Sequence, residues 1–187
     1  MKAPYRLIAA ATATVLVVAA NAEAPAADEP AASAMVGADG SIVMTTANYQ
    51  RDWTMLGIFA RLDSDGVRQF NVVYTQPETV SAYRATGEFP EGAVFIKELR
   101  QGVTNAEGDD KVSSLGVLTG WFAMIKPPKT GGPEGPLWGD GWGWAKFDVD
   151  APSATITKNY QTDCIGCHMP VKNTDFIHIE GYPLLRN

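Results

Sequence analysis

The residues best suited to chemistry are Cys164, Cys167 and His168, which form a Cys-x-x-Cys-His sequence near the C-terminus. The two cysteines are the only ones in the chain, and they lie too close together for a long-range disulfide. In an exported protein this pattern attaches a c-type haem, because the two thiols bond to the vinyl groups and the next imidazole ligates the iron. The sequence therefore predicts one covalent haem c, with His168 as the proximal ligand.

Two other uses of this motif are less favoured. A structural zinc site needs four ligands, and His178 is the only histidine besides His168. A thioredoxin-type redox pair opens a helix after a strand in a βαβ unit, and this C-terminal position supplies no such unit.

The ligand on the other face of the iron decides between electron transfer and the binding of a small molecule. The candidate sixth ligands are His178, Met44, Met55 and Met124. His178 follows His168 by ten residues in a strand-like alternation, so we expect it to have difficulty crossing the haem plane. Isolated methionines more often fill a core than ligate a metal. We therefore expect an open, five-coordinate iron.

Lys97 is the second unusual residue. In residues 93–99, strand alternation puts Lys97 on the same face as Phe95 and Leu99, which are apolar. Such a lysine either extends its amine to water at an edge, or is partly desolvated with a lowered pKa, which makes the amine a nucleophile. From these residues alone the first alternative is favoured.

The first 22 residues predict an export signal. Lys2 and Arg6 precede an apolar run of 14 residues, which is shorter than a membrane-spanning helix. Small residues follow and suit cleavage after Ala22. We expect a periplasmic protein that is free of the membrane after cleavage.

Composition predicts one folded domain behind a leader. The chain has 187 residues, 45% of them hydrophobic, and a net charge of −6, which excludes wholesale disorder and argues against a nucleic-acid partner. Residues 23–40 are poor in large apolar groups and predict a disordered leader. We expect the haem domain to span residues 41–187.

The 18 glycines and 12 prolines argue against a helical bundle. We expect an α+β fold, mainly an antiparallel β-sheet with a few short helices. Residues 126–143 predict an ordered loop, because their tryptophans need burial. Periodicity and turn residues predict helices at 48–56, 77–85 and 154–167, and strands at 70–74, 93–99, 115–125, 142–147 and 175–179.

Several short segments together resemble the cytochrome P-460 family, which includes the cytochromes c′-beta. They are Asn48-Tyr49 with Trp53, Tyr83-Arg-Ala-Thr-Gly87-Glu88-Phe89, Pro90-Glu91-Gly92, Lys97-Glu98-Leu99, the Cys-x-x-Cys-His motif, and Tyr182-Pro183-Leu184-Leu185-Arg186. The resemblance covers most of residues 48–186. It implies a β-rich periplasmic homodimer with one five-coordinate haem c.

The resemblance also implies a function. The enzymes of this family oxidise hydroxylamine to nitrous oxide, pass electrons to a partner cytochrome, and carry a haem cross-linked through a lysine whose position matches Lys97. They also use a distal carboxylate as a proton acceptor. The corresponding stretch, residues 115–125, contains no Asp or Glu. It offers Trp121, Phe122 and Met124, which would form a dry cap suited to a neutral diatomic ligand.

One further position departs from an enzyme relative, since Asn71 stands where that relative has an arginine. Asp140 and Asp163 are the remaining candidates for a base, and Asp163 is expected to be a local cap. The favoured function is hydroxylamine oxidation through a haem held by Cys164, Cys167, Lys97 and the contact residue Phe122. The alternatives are a nitric-oxide-binding protein without turnover and a simple electron-transfer cytochrome.

Overall fold

One six-stranded sheet dominates the fold. The computed structural model describes residues 31–107 and 110–186. The strands are β1 (Thr54–Asp63), β2 (Gly66–Thr75), β3 (Val94–Glu107), β4 (Asp110–Ile125), β5 (Trp138–Gly139) and β6 (Trp142–Asp148). They lie in the order β1-β2-β3-β4-β6-β5, and every pair of neighbouring strands is antiparallel.

The helices are short, and this confirms the predicted α+β class. In the described residues no helix is long and apolar enough to cross a membrane. The α-helices are α1 (Ala31–Met35), α2 (Tyr49–Asp52), α3 (Pro77–Thr86), α4 (Tyr160–Asp163) and α5 (Ile165–His168). Three 3-10 helices follow at Met169–Thr174, Ile179–Gly181 and Pro183–Leu185.

The edge strand β1 is missing from the sequence prediction. The predicted helix at 48–56 ends at Asp52, and Trp53 already has an extended backbone. From Thr54 onward the chain pairs with β2, beginning at Thr75. Most β1 side chains are at least partly exposed, so the strand lacks a clear apolar alternation. Pairing with β2 overrides the local helical spacing, as tertiary context often does.

Two predicted elements near the C-terminus are also wrong. The predicted helix at 154–167 is reduced to α4 and α5, which meet at a non-helical Cys164. The predicted strand at 175–179 does not form, because Asp175 and Phe176 have φ values of 54° and 63°. Those values lie in the left-handed region, which no extended strand adopts.

Residues 31–40 belong to the fold, so the predicted disordered leader is wrong for this part. Helix α1 buries Met35 completely, and Val36 forms a β-bridge with Ile42. Met35 packs in the same apolar cluster as Trp138, which explains why a segment of low apolar content is ordered. The predicted signal peptide, residues 1–22, and residues 23–30 lie outside the described residues.

The sheet separates two apolar clusters, one on each face. The face covered by the C-terminal segment, where Phe95, Met124 and Trp144 pack, is called the first face. The second face is covered by the N-terminal segment, where Ile96 and Phe147 pack. Residues 126–143 form the expected ordered connection apart from the short strand β5, which pairs with β6. The predicted site residues Lys97 and Phe122 lie on the first face.

Strand β3 is anchored on the second face by the buried carboxylate of Glu98. Its Oε1 accepts a hydrogen bond of 2.7 Å from the Tyr49 hydroxyl and a second one from the Gln50 amide. Its Oε2 accepts from Nε of Arg100 at 2.6 Å. Burial raises the pKa of Tyr49 and keeps its hydroxyl a donor. Since neighbours alternate in a strand, this anchor directs Lys97 to the first face.

We predict that Glu98→Gln lowers the free energy of unfolding of the holoprotein by about 2 kcal/mol, because Arg100 loses its buried anionic partner. Chemical denaturation would measure the change. Glu91→Gln is the control, since Glu91 is exposed and lies just before the same strand. Equal effects of the two substitutions would contradict the anchoring role of Glu98.

Candidate haem site

A cavity of about 310 Å³ lies between the first face of the sheet and the C-terminal segment. It brings together the five residues that the sequence predicts for the site, although two of them lie far in the chain from the attachment motif. These residues are Lys97, Phe122, Cys164, Cys167 and His168. Most of the remaining lining is aromatic or aliphatic: Phe59, Val73, Phe95, Ala123, Met124, Trp144, Ala145, Ile177 and Tyr182.

Both cysteines carry free thiols at the wall of this cavity. Cys167 lies one turn after Cys164, and its N–H donates to the Cys164 carbonyl at 3.3 Å. Residues three apart on a helical turn are neighbours on one side, so both sulfurs can reach the edge of one planar group. Burial raises the pKa of the Cys164 thiol. Two unpaired thiols at this spacing fit the two thioether bonds of haem c.

The imidazole of His168 is prepared for metal ligation. Its Nδ1 lies 2.7 Å from the Phe176 carbonyl oxygen, which can only accept, so Nδ1 carries the proton and Nε2 holds a free lone pair. Burial lowers the pKa of His168 to about 4, which keeps the ring neutral as a metal ligand must be. The edge of Trp144 packs against the ring at 5.0 Å between centroids. The donor set therefore fits haem c.

His178 lies beside His168, on the side of the attachment segment. Its Nε2 lies 3.2 Å from the carbonyl oxygen of Cys167, and the two imidazole centroids are 5.3 Å apart. Two of the candidate methionines lie elsewhere, with Met44 on the second face and Met55 half exposed. Of the candidate sixth ligands, Met124 and His178 line the cavity.

Lys97 extends into the cavity beside Phe122. Its Nζ lies 4.4 Å from the centroid of the Phe122 ring, and the two residues are register partners on β3 and β4. Burial lowers the pKa of the Lys97 ammonium, since desolvation disfavours the charged form. The structure therefore has a partly desolvated amine where the neighbouring residues alone favoured an amine extended to water and the family resemblance implied a reactive one. Nζ of a second lysine, Lys146, lies 5.6 Å from the same ring.

The predicted apolar cap needs one correction. Trp121 lies on the second face, where its Nε1 donates to the Tyr49 hydroxyl at 2.8 Å. The reason is alternation along β4, which sends Phe122 and Met124 to the cavity and Trp121 away from it. The cap is completed by Phe59, whose ring contacts Tyr182 at 5.6 Å between centroids.

The two carboxylates proposed as a base are not placed for that role. Asp140 lies in the turn between β5 and β6 and is not part of the cavity wall. Asp163 reaches the wall, but its Oδ2 accepts from the N–H groups of Lys158 and Asn159 at 2.8 and 3.2 Å. These bonds lower the pKa of the carboxyl, so Asp163 is the expected local cap.

Sequence reasoning overlooked Phe59 and Tyr182 as cavity residues. Phe59 lies on the missed strand β1, and Tyr182 lies in a segment that only folding brings to that strand. A pair of glycines was the available signal. A Cβ on Gly57 would come within 2.6 Å of the Gly181 carbonyl oxygen, and one on Gly181 within 2.2 Å of the Phe59 ring. This close approach lets the C-terminal segment close the cavity.

Comparison with known proteins agrees with this geometry. The model of the Cytochrome P460 family matches residues 46–179, which is most of the described fold. A search of the curated proteins finds no match. Members of the family bind a covalently attached c-type haem, which the free thiols and the neutral imidazole fit. The chain therefore belongs to the Cytochrome P460 family and is a c-type haem cytochrome.

Proposed function

We propose that the protein binds nitric oxide at its haem without turning it over. The haem supplies an iron that binds small ligands and exchanges electrons. The observation that carries the proposal is the chemistry of the cavity wall, which is mostly aromatic and aliphatic. Asp163 is the one carboxylate among the described lining residues, and the amide, ammonium or imidazole groups outside the attachment motif are those of Asn71, Lys97 and His178.

The apolar wall favours an uncharged ligand. Phe59, Phe95 and Phe122 enclose the cavity together with Val73 and Met124, and none of these side chains can hydrogen-bond strongly. A strongly hydrated ligand would lose its hydration against these side chains without compensation. A neutral diatomic molecule such as nitric oxide loses little, so these residues favour it.

Turnover of hydroxylamine would need a proton acceptor near the ligand. Asp163 already accepts three hydrogen bonds, two from backbone N–H groups and one from the Thr162 hydroxyl at 2.8 Å. These bonds stabilise the ionised carboxylate and weaken it as a base. The site therefore supports binding better than oxidation.

Hydroxylamine oxidation is the second candidate, and the position of Lys97 favours it. Its desolvated amine shares the cavity with both attachment cysteines. An N–C bond from this amine to a meso carbon would replace one N–H and one C–H bond. The step releases two protons and two electrons, which an oxidant of the peroxide class would accept.

The cellular setting of this proposal is the periplasm. Residues 1–22 support export, and haem attachment to a Cys-x-x-Cys-His motif is typical of exported proteins. We further propose a homodimer and a partner cytochrome that exchanges electrons with the haem.

We predict that the ferrous holoprotein binds nitric oxide stoichiometrically, and that the ferric protein with hydroxylamine and an oxidant releases no sustained nitrous oxide. The physical reason is that the Asp163 carboxylate is already occupied by donors. Absorption spectroscopy and gas chromatography would measure the two outcomes. Asp163→Asn is the matched variant, and it should behave as the wild type does. Sustained nitrous oxide release by the wild type would contradict the binding proposal and favour oxidation.

We predict that the denatured wild-type protein retains a haem bonded to Lys97 as well as to the cysteines. The intact wild-type mass should then lie two hydrogens below that expected for its sequence plus haem, whereas Lys97→Ala should match the mass expected for its own sequence plus haem and give an ordinary c-type absorption spectrum. Lys146→Ala is the control, because Lys146 approaches the same Phe122 ring from farther away. Peptide mapping by mass spectrometry would locate the bond. Identical haem peptides from wild type and Lys97→Ala would contradict the cross-link.

A further inference from the structure

We infer that Lys126 and Asp175 form a positioning pair for the proximal imidazole of His168. The inference rests on the proposed role of His168 as iron ligand. The pair lies outside the cavity wall, at the point where the C-terminal segment meets the end of β4. It holds a turn whose carbonyl group accepts the proton of His168 Nδ1.

The turn at Asp175 and Phe176 has an unfavourable backbone. Both residues have left-handed φ values, 54° and 63°, and neither is a glycine. An aromatic residue rarely adopts this conformation unless its surroundings impose it. Here the conformation directs the Phe176 carbonyl oxygen to Nδ1 of His168 at 2.7 Å. The strained turn therefore sets the hydrogen bond that orients the imidazole.

Two side chains hold Asp175 in place, one just past the end of β4 and one on β6. Nζ of Lys126 lies 2.5 Å from Oδ2 of Asp175. The indole Nε1 of Trp142 donates to the Asp175 backbone oxygen at 3.0 Å and to Oδ1 at 3.2 Å. Trp142 is fully buried, and Nζ of Lys126 lies 4.5 Å from its ring centroid. The carboxylate is thus fixed through both of its oxygens.

Lys126 is itself held at the end of the sheet. Its N–H donates to the Ala93 carbonyl at 2.8 Å, and its carbonyl accepts from the Gly92 N–H at 2.9 Å. A lysine with a fixed backbone and a side chain packed on an indole ring has few alternatives to the observed ion pair. The sheet therefore fixes the position of Lys126, and the ion pair with Asp175 fixes the position of the turn.

The hydrogen bond at Nδ1 controls how strongly the imidazole donates electrons to a metal. A short bond to a carbonyl group makes the ring more basic at Nε2, which strengthens the bond to iron and favours the ferric state. Without the Lys126 ion pair, the strained turn of Asp175 can relax toward a more favourable backbone. The Phe176 carbonyl group then moves away from His168, and the imidazole donates less electron density to a metal at Nε2.

Lys126→Gln and Asp175→Asn, made in the full-length holoprotein, test this inference. Asparagine tolerates the left-handed backbone and retains an acceptor for Trp142, so the second variant removes the ion pair with the least disturbance. We expect the iron–histidine stretching band of the ferrous protein to shift to lower frequency in both variants, and the midpoint potential to rise. Resonance Raman spectroscopy and redox titration measure these changes. Lys126→Arg should restore both values.

Lys129→Gln is the matched control, because Lys129 lies in the same loop but is exposed. Bands and potentials in Lys126→Gln and Asp175→Asn that equal those of this control would overturn the inference and leave the proposed function intact. A wild-type ferrous protein without an iron–histidine band would overturn the role of His168 and the inference with it. A shifted band in both variants, restored by Lys126→Arg, supports the positioning pair.

Discussion

Alternation along β3 is the constraint on which the rest of the site depends. Consecutive side chains of a strand point to opposite faces, so Lys97 and Glu98 cannot lie on the same side of the sheet. The buried carboxylate of Glu98 is satisfied only on the second face, by Tyr49 and Arg100. A slip of one residue would bury the carboxylate in the cavity and move the amine out of it. The polar network on one face therefore secures the register of the cofactor cavity on the other.

The C-terminal segment completes the site by covering the first face in short pieces. Helices α4 and α5 have four residues each, which is too short for a helix to be stable alone. Their stability therefore comes from packing against the sheet. Close approach at Gly57 and Gly181 brings Tyr182 against Phe59, and Asp175 is held by the side chains of Lys126 and Trp142. The segment is thus attached to the sheet at two points that follow His168 in the chain. Together with the contact between His168 Nδ1 and the Phe176 carbonyl oxygen, these attachments give the proximal ligand a defined orientation.

The wall of the cavity combines features of two functions. Its aromatic residues and the occupied carboxylate of Asp163 favour a neutral ligand that is bound and not oxidised. The amine of Lys97 lies in the same cavity, and its burial fits the nucleophile of the proposed cross-link to the haem. A cross-link and a base are separate requirements, because the first alters the cofactor and the second accepts protons from a substrate. A protein that retains Lys97 without a free carboxylate meets only the first requirement.

The sequence by itself determined the cofactor chemistry, since Cys164, Cys167 and His168 are adjacent and their spacing suffices to predict haem attachment. It also determined the strands that have clear apolar patterns. The face of the sheet on which Lys97 lies followed as well, because the alternation of side chains along a strand is a local property. Tertiary structure alone decided that β1 forms as an exposed edge strand, that residues 31–40 are ordered, and that Trp121 lies outside the cap. It also decided the left-handed turn at Asp175, which is held by Lys126, just after β4, and by Trp142 on β6. Local patterns cannot encode these features, because each depends on contacts between residues far apart in the chain.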